Sequence, residues 1–257
     1  MRKTNKYYYS HQYAKEIQAR VVNIDKKYKT IELDRTIAYP EGGGQESDKC
    51  FIEHIKTGNV FPIENVKIIY GLDIKINESN YVNGIILHQI SRENDLSLDE
   101  IYEGDAVKIE INTLLREKMT TSHSASHLLY VAIKKIRNDA IAGIIGCHIK
   151  EAQARFDFRV DRRFSEKEIK KIEELSNEFI QNDYKIRVYT SEKNPDERLW
   201  ECQSNIIPCG GTHLKNTGTI GFLKVKRKNI GKGKERVICI LENPSYNIEQ
   251  YVGSLYL

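Results

Sequence analysis

The first 112 residues alternate short hydrophobic and polar runs in the manner of β-strands. In "AVKIEIN" (106–112), Val107, Ile109 and Ile111 alternate with Lys108 and Glu110, as in a strand with one buried face. Similar short runs, punctuated by Gly, Asn or Asp, are QARVVNID (18–25), KTIELDRT (29–36), NVKIIY (65–70), LDIKI (72–76) and GIILHQI (84–90). The first two flank the polar KKYK and predict a hairpin. We therefore expect a small N-terminal β-barrel domain over residues 1–112.

From residue 113 onward the hydrophobic spacing becomes helical. The run TLLREKMTTSHSASHLLYVAIKKIRND (113–139) predicts one long helix, and residues 165–182 predict a second. Ser165 is followed three residues later by Glu168, which is the sequence of a capping box. Strand-like runs follow, namely KIRVYT (185–190), TIGFLKVKRKN (219–229) and ERVICILE (235–242). We expect a C-terminal α+β domain over residues 113–257, so the fold class is α+β.

Composition says little about binding partners, but it indicates the class of protein and its cellular compartment. Of 257 residues, 40% are hydrophobic and 30% are charged, which is typical of a globular protein with a real core. Lys and Arg exceed Asp and Glu by only 40 to 36, so net charge does not identify a partner. The N-terminus has no apolar signal segment, and no apolar run approaches the ~20 residues of a membrane-spanning helix. Five cysteines, an odd number, fit a reduced compartment, and we expect a cytoplasmic protein.

Two separate stretches carry side chains that ligate metals. In PCGGTH (208–213), Cys209 and His213 are separated by two glycines and a threonine, and the glycines permit a tight turn. In TSHSASHLL (121–129), His123 and His127 lie at i and i+4 on one face of the predicted helix. Three imidazoles and one thiolate suit tetrahedral zinc better than calcium or magnesium. These four residues therefore predict a Zn²⁺ site.

Other interpretations stay open for these side chains. Taken alone, the histidine pair is equally compatible with a solvated or hydrogen-bonded pair. Cys202 is a competing ligand seven residues before Cys209, although no glycine-rich turn lies beside it. His148, beside Cys147, is a more distant second candidate, and Cys147 itself is interpreted as a small core residue.

Two further segments have a double interpretation. The glycines of YPEGGGQESD (39–48) serve either a tight turn with positive φ or a close approach of backbone N–H groups to a ligand. The segment from 224 to 236, KVKRKNIGKGKER, carries seven basic residues and one acidic residue. It predicts either a strand pair that follows RNA phosphates or an exposed edge that resists aggregation.

The motifs together resemble a known family. HSASHLL with PCGGTH resembles the paired HxxxH and CGGTH motifs of the alanyl-tRNA synthetase editing domain. DRTIAYPEGGGQESD (34–48) resembles the signature of its free-standing relatives, the AlaX proteins. HIKEAQARFDF (148–158) and NTGTIGFLKVKRKNIGKGKERVICIL (216–241) follow the same family pattern. The resemblance spans most of the chain, with its motifs in the family's order.

The resemblance implies a zinc-containing hydrolase that deacylates mischarged alanine tRNA. The expected substrate is Ser-tRNA(Ala), with Gly-tRNA(Ala) as an alternative, and the chain is expected to act in trans after the tRNA has been released. An alanine-activating pocket cannot strongly reject glycine, which is smaller, or serine, which adds only a hydroxyl. A second site that hydrogen-bonds the serine hydroxyl rejects alanine, because alanine leaves the polar partner unpaired. Thr36 is the candidate partner, its alternative being an ordinary threonine at a strand end.

The expected site follows from these motifs. Gln45 and Thr36 are expected to be catalytic, with Gln45 orienting substrate or water. The residues expected to bind substrate are Gly42, Gly43, Gly44, Thr212, Lys224, Lys226, Arg227 and Lys228. Whether zinc is catalytic or structural is left open, because four protein ligands would close its coordination shell. The alternatives are a non-catalytic, zinc-stabilised tRNA-binding module and editing of another mischarged tRNA.

Overall fold

A computed structural model of the protein describes residues 3–69, 75–76, 80–81, 84–94, 96–192 and 197–255. Its strands, in chain order, are β1 (Asn5–Lys6), β2 (Glu16–Asp25), β3 (Thr30–Leu33), β4 (Arg35–Thr36), β5 (Cys50–His54), β6 (Val60–Ile69), β7 (Lys75–Ile76), β8 (Asn80–Tyr81), β9 (Ile85–Ile90), β10 (Ala106–Ile111), β11 (Ile144–Lys150), β12 (Gln153–Arg159), β13 (Ile186–Thr190), β14 (Arg198–Cys202), β15 (Asn205–Pro208), β16 (Phe222–Gly231), β17 (Lys234–Glu242) and β18 (Ser254–Leu255). Its α-helices are α1 (Tyr7–Ser10), α2 (Thr113–Ile136), α3 (Asn138–Ile141) and α4 (Glu166–Gln181). In this part of the chain, no helix has the length and apolarity needed to span a membrane.

The chain forms two compact units. The first contains Met1–Gly42, Ser47–Arg116 and Asn247–Leu257, and the second contains Gly43–Glu46 and Glu117–Tyr246. Four residues of the glycine-rich loop therefore group with the second unit. The domain limits of 1–112 and 113–257 expected from the sequence stay a prediction.

The first unit is built on a closed six-stranded barrel. Its strand order is β10-β5-β6-β9-β3-β2, and β10 closes it by pairing with both β5 and β2. All six pairings are antiparallel. The short strand β18 adds in parallel to β2. The α+β class and the small barrel expected from the sequence are confirmed.

The alternation in the sequence explains how the barrel is filled. Val107, Ile109 and Ile111 of β10 are buried, and Leu33 and Phe61 from other strands are fully buried beside them. Irregular pairing at residues 21–23 of β2 and 63–65 of β6 marks bulges, which bend strands and help a sheet to close.

A buried ion pair ties together the chain on both sides of the glycine-rich loop. The guanidinium of Arg116 donates to the carboxylate of Asp48, with Nε to Oδ1 at 2.9 Å. It also donates to the carbonyl oxygens of Ile37, at 2.6 Å, and Gln12, at 2.9 Å. Asp48 in turn accepts the backbone N–H of Tyr39 at 2.6 Å. Residues 37–39 and 48 are thus fixed to one side chain.

The second unit contains a four-stranded antiparallel sheet in the order β11-β12-β17-β16. Helix α4 begins with the predicted capping box of Ser165 and Glu168. Its polar side chains cover the edge of β16. The amide of Asn177 both donates to and accepts from the backbone of Leu223, at 2.9 and 2.8 Å. This edge is therefore partly paired and is not fully exposed to water.

The opposite edge of the sheet carries the end of the glycine-rich loop. Gln45 forms a parallel bridge with Ile149 of β11, whose N–H donates to the carbonyl of Gly44 at 2.7 Å. Gly44 has φ of +84°, and a Cβ there would lie 2.9 Å from the carbonyl oxygen of Cys147. Only glycine suits this position, because positive φ and the close approach both disfavour a side chain.

Several elements differ from the sequence-based expectation. The long helix ends at Ile136, before the separate short helix α3, and not at residue 139. Strands β5, β11, β12, β14 and β15 had no strand prediction, and parts of the predicted strand 72–76 lie outside the described residues. Strands β13, β14 and β15 form a three-stranded sheet that ends at Pro208, immediately before Cys209.

Candidate metal-binding site

Four side chains from two distant stretches of the chain converge in the second unit. His123 and His127 project from α2, and Cys209 and His213 come from the loop after β15. One potential ligand atom from each lies within 4.8 Å of all the others. The sulfur of Cys209 lies 3.4 Å from Nε2 of His123 and 3.3 Å from Nε2 of His213. These residues could hold a metal ion.

The geometry and chemistry of the cluster fit zinc. Bond lengths of about 2.3 Å to sulfur and about 2.0 Å to nitrogen place neighbouring tetrahedral ligands about 3.5 Å apart. The two sulfur–nitrogen distances are close to that value. Nδ1 of His127 is buried with no hydrogen-bond partner among the described residues. A buried polar atom without a partner is costly, and a cation near the cluster is one explanation for such an atom.

Burial sets the protonation of these groups. It lowers the pKa of His123 to about 3, and it holds the pKa values of His127 and His213 well below their ordinary value. It also raises the pKa of the Cys209 thiol to about 12. The imidazoles are therefore neutral, which is the form that binds metals. The thiolate, in contrast, needs a nearby cation to be stable at neutral pH.

A hydrogen-bonded chain fixes the orientation of His123. Its Nδ1 lies 2.5 Å from Oε1 of Gln45, and Nε2 of Gln45 donates to the hydroxyl of Thr212 at 3.2 Å. Thr212 also accepts from the hydroxyl of Thr120 at 2.9 Å. An amide oxygen can only accept, so the proton of His123 lies on Nδ1. Its Nε2 lone pair is left to point toward Cys209, as in metal sites with an oriented histidine.

Ser124 fixes the orientation of His213 and the position of its proton in the same way. Its hydroxyl donates to the carbonyl of Thr120 at 2.9 Å and accepts the N–H of Leu214 at 3.0 Å. Nδ1 of His213 lies 3.4 Å away. Because the only proton of the hydroxyl is already donated, Ser124 accepts from His213 Nδ1–H. Nε2 of His213 then faces the sulfur of Cys209.

Trp200 and Gly211 complete the surroundings of the cluster. Trp200, the single tryptophan of the chain, is fully buried on β14, with its ring centroid 4.6 Å from that of His127. No motif in the sequence indicates this position, because a lone tryptophan is not part of a metal-ligand pattern. A Cβ on Gly211 would lie 2.0 Å from Cε1 of His123. Gly211 is therefore required by the close approach of the loop to the helix.

Comparison with known proteins places this arrangement in a family. The model of the "Threonyl and Alanyl tRNA synthetase second additional domain" matches residues 186–238, which include Cys209 and His213. The alanyl-tRNA editing protein AlaX-M of Methanosarcina mazei is 31% identical over 256 residues, covering 91% of this chain and 95% of that protein. The chain belongs to the AlaX family of alanyl-tRNA editing proteins.

Alanine–tRNA ligases are also similar to this chain. That of Metallosphaera sedula is 28% identical over 98% of the chain and 27% of the ligase. That of Methanococcus vannielii is 29% identical over 91% of the chain and 26% of the ligase. The chain thus spans about a quarter of the length of the ligases it matches.

The competing ligands considered for this AlaX-family chain lie outside the cluster. Among the described residues, the group that could hold a metal contains neither Cys202 nor His148. Cys202 is buried at the end of β14. Nε2 of His148 instead lies 3.0 Å from a carboxylate oxygen of Glu46.

Thr36 lies in the core of the first unit, fully buried. Nδ1 of His88 lies 3.1 Å from the carbonyl of Ile31, so this nitrogen carries the proton and Nε2 accepts. The Thr36 hydroxyl, 2.9 Å from that Nε2, therefore donates to His88. It also accepts the backbone N–H of Ala38 at 3.0 Å. One lone pair of the hydroxyl is left, so Thr36 can accept one further hydrogen bond.

The predicted substrate-binding glycines lie in the glycine-rich loop, and the predicted basic residues lie on β16. Gly43 is exposed and has a φ of +59°. Gly42 has room for a side chain, since a Cβ there would lie 3.9 Å from its nearest atom. Lys224, Lys226 and Lys228 are exposed on one face of β16.

Arg227 belongs to the opposite face of β16. It donates to the carbonyl of Phe164 at 2.7 Å and lies 3.4 Å from the buried carboxylate of Glu235. Lys224 forms an ion pair with Glu173 of α4 at 3.0 Å. Lys226 and Lys228 make no ion pair with any residue that the structure describes. Of the four basic residues, these two are the ones left available for an anion.

Proposed function

We propose that this AlaX-family chain is an aminoacyl-tRNA deacylase that hydrolyses the ester of Ser-tRNA(Ala), with Gly-tRNA(Ala) as a second substrate. One observation carries the proposal. A glycine-rich loop that fits a close backbone approach delivers Gln45 onto His123, within a cluster of three histidines and one cysteine. The name of the Methanosarcina mazei relative, an alanyl-tRNA editing protein, supports the same activity.

We assign Zn²⁺ to His123, His127, Cys209 and His213. A bound zinc ion would supply Lewis-acid charge if one coordination position is open, and would order the surrounding loop if all four protein ligands bind. The residues around it set which nitrogen of His123 and of His213 is free, and they keep the cluster buried. Cys209 is only partly buried, so substrate would approach from its side of the cluster.

The chain's own residues position the reacting groups. Both polar atoms of the Gln45 amide already bond to protein groups, so Gln45 acts first as a positioning residue for His123. One N–H of its amide remains to orient the substrate or a water molecule. Thr212 holds the other end of the amide. Its substrate-binding role in this proposal is therefore indirect and acts through Gln45.

The loop residues 42–44 supply backbone rather than side chains. With no Cβ, Gly43 and Gly44 can present N–H groups directly to the terminal ribose or the aminoacyl ester. Thr36 supplies the selection for serine. Because its proton is donated to His88, it would accept a hydrogen bond from the serine hydroxyl. Glycine and alanine lack that hydroxyl, and alanine would also place a methyl group beside a polar atom.

A deacylation panel tests the proposal. The purified protein, with its zinc content measured, is mixed with separately prepared Ser-, Gly- and Ala-tRNA(Ala), and the remaining aminoacyl-tRNA is followed in time. We expect fast loss of Ser-tRNA(Ala), and Ala-tRNA(Ala) left intact. C209A is the matched inactive control, since it removes a proposed ligand. Equal inertness of the zinc-loaded protein toward all three substrates would refute the proposal.

Two alternatives make different predictions in the same assay. For a zinc-stabilised binding module, Q45A would leave tRNA affinity and every deacylation rate unchanged. For editing of another tRNA, Ser-tRNA(Thr) would be hydrolysed faster than Ser-tRNA(Ala). The deacylase we propose would lose rate in Q45A and would prefer Ser-tRNA(Ala).

A further inference from the structure

The four-stranded sheet of the second unit has two chemically different faces. Alternate residues along its strands point to the inner face, and many of them are buried. Examples are Ile149, Ala154, Val225 and Cys239. The outer face carries the residues between them. The β-register aligns these residues in rows across the sheet, so the basic side chains of separate strands lie on one continuous surface.

The outer face is strongly basic. Five of its cations are exposed and form no ion pair with any residue in the described ranges, namely Lys150, Arg159, Lys226, Lys228 and Lys234. Three more are paired. Arg155 and Arg236 share the carboxylate of Asp157, and Lys224 contacts Glu173. Only the β16–β17 part of this surface was predictable from the basic segment 224–236, because β11 and β12 were not predicted as strands.

We propose that this basic face binds the phosphates of a base-paired RNA stem, which the proposed function identifies as the acceptor stem of the tRNA. Strands spaced about 4.8 Å apart make the face about 14 Å wide, and four residues of β16 extend about 13 Å along it. Cations spread over such an area can reach both phosphate strands that border the wide, shallow minor groove of A-form RNA.

The composition of the face favours a duplex over single-stranded RNA. Proteins that hold single strands offer aromatic side chains on which bases stack. Among the described outward residues of these four strands, the aromatic rings are those of Phe222, at the end of β16, and of His148, which pairs with Glu46. Long lysine and arginine side chains, in contrast, contact phosphates without reading bases. The face is therefore suited to position a stem through its phosphates.

The outer face meets the candidate metal-binding site along the edge of strand β11. The loop residues 44–46 run along the edge of β11. At that edge Gln45 points inward to His123, whereas Glu46 forms an ion pair with His148, which lies in the outer row with Arg155. A 3′ end that leaves a stem on the outer face needs only to pass this edge to reach the cluster.

Binding of uncharged tRNA(Ala) tests the proposal without depending on hydrolysis. The wild type, K226Q/K228Q and K150Q/R159Q are compared by fluorescence anisotropy over a range of salt concentrations. The matched control is K134Q/K135Q, which removes two exposed lysines at the end of α2 that are not part of the outer face. The slope of log affinity against log salt is negative, and each lost phosphate contact makes it shallower by roughly 0.9. We expect each sheet variant to make the slope shallower by about 1 to 2, and the control to leave it unchanged.

Two further arms make the outcome decisive. A single-stranded RNA of the acceptor-strand sequence should bind weakly and respond little to the substitutions. Both sheet variants should raise KM for the full aminoacyl-tRNA by a larger factor than KM for a short aminoacylated CCA fragment, because the fragment has no stem, whereas K134Q/K135Q should match the wild type with both substrates. Unchanged salt slopes in the sheet variants, or an equal loss in the α2 control, would overturn the proposal. Loss of slope in a protein that hydrolyses no substrate would uphold the binding face and reject only the deacylase function.

Discussion

Oε1 of Gln45 lies 2.5 Å from Nδ1 of His123, across 78 residues of sequence. This contact joins the glycine-rich loop to the helix that carries two of the candidate ligands. Because the amide oxygen holds the proton on Nδ1, the loop decides which nitrogen of His123 is free. Loop residue Gln45 and the candidate metal-binding site are thus directly connected, and a change in one should be measurable in the other.

Replacing Gln45 should weaken metal binding as well as catalysis. We expect Q45A to lower zinc affinity about 10- to 100-fold, as is typical when the partner of a ligating histidine is removed. Competition with a chromophoric chelator measures this directly. Q45E keeps an acceptor oxygen and should retain most of the affinity. Q181A, at the exposed end of α4, is the control and should change nothing. Wild-type zinc affinity in Q45A would contradict the role we give to this contact.

Gly211 should tolerate no side chain. G211A places a Cβ about where the His123 ring now lies, so either the ring or the loop must move. We expect a loss of about 1 to 3 kcal/mol in unfolding free energy, together with weakened zinc binding. G146A is the matched control, because its Cβ would meet its nearest atom at 3.7 Å. Denaturant unfolding and the chelator assay compare the two variants, and similar behaviour of both would rule out the steric argument.

The sequence predicted the strongly periodic parts of this structure. The alternation at Val107 and Ile109, and the spacing of Ser165 and Glu168, are local patterns that needed no knowledge of the fold. Strand β12 was missed although polar Gln153 and Arg155 alternate with buried Ala154 and Phe156 in the same period-two pattern as in β10. Strand β11 has no such clear alternation, and its strand character depends on its pairing with β12, which propensity does not encode.

The candidate site shows the same limit. The four ligand candidates were recognisable from residue type and spacing, and so was the presence of a special loop. The contacts of Gln45 with His123, of Ser124 with His213 and of Trp200 with His127 join residues far apart in the chain. Nothing local in the sequence predicts such contacts, because they depend on tertiary packing.

The ion pair of Arg116 and Asp48 should be essential to the first unit. Both side chains are almost fully buried, so D48N leaves a buried guanidinium without its counter-charge. We expect a loss of about 3 to 5 kcal/mol in unfolding free energy, measured by urea denaturation. D99N is the matched control, since it removes a carboxylate from the exposed pair with Lys26 and should change stability little. A small loss in D48N, comparable with that control, would show that the pair is dispensable.

Thr36 should influence both selectivity and stability. T36V removes the hydroxyl, so His88 Nε2 and the Ala38 N–H lose their partner, which costs about 1 to 3 kcal/mol. If Thr36 also accepts the serine hydroxyl, the rate with Ser-tRNA(Ala) should fall more than the rate with Gly-tRNA(Ala). T36S keeps the hydroxyl and should preserve the ratio of the two rates. An equal fall with both substrates in T36V would restrict Thr36 to a structural role.

His88 should make the stability of the first unit depend on pH. Burial lowers the pKa of His88 to about 4, from an ordinary value near 6.5. Between these values the unfolded chain binds a proton that the folded chain does not, so the stabilisation is present above pH 6.5 and is lost as pH falls toward 4. At pH 5 the loss from this residue is about 2 kcal/mol. Urea unfolding from pH 7.5 to 5 measures it, and H88Q, which cannot titrate, should show a shallower decline than the wild type. H11Q, which replaces an exposed histidine, is the control and should follow the wild type. If stability fell equally steeply with pH in H88Q and in the wild type, His88 would accept its proton without unfolding, and the prediction would be wrong.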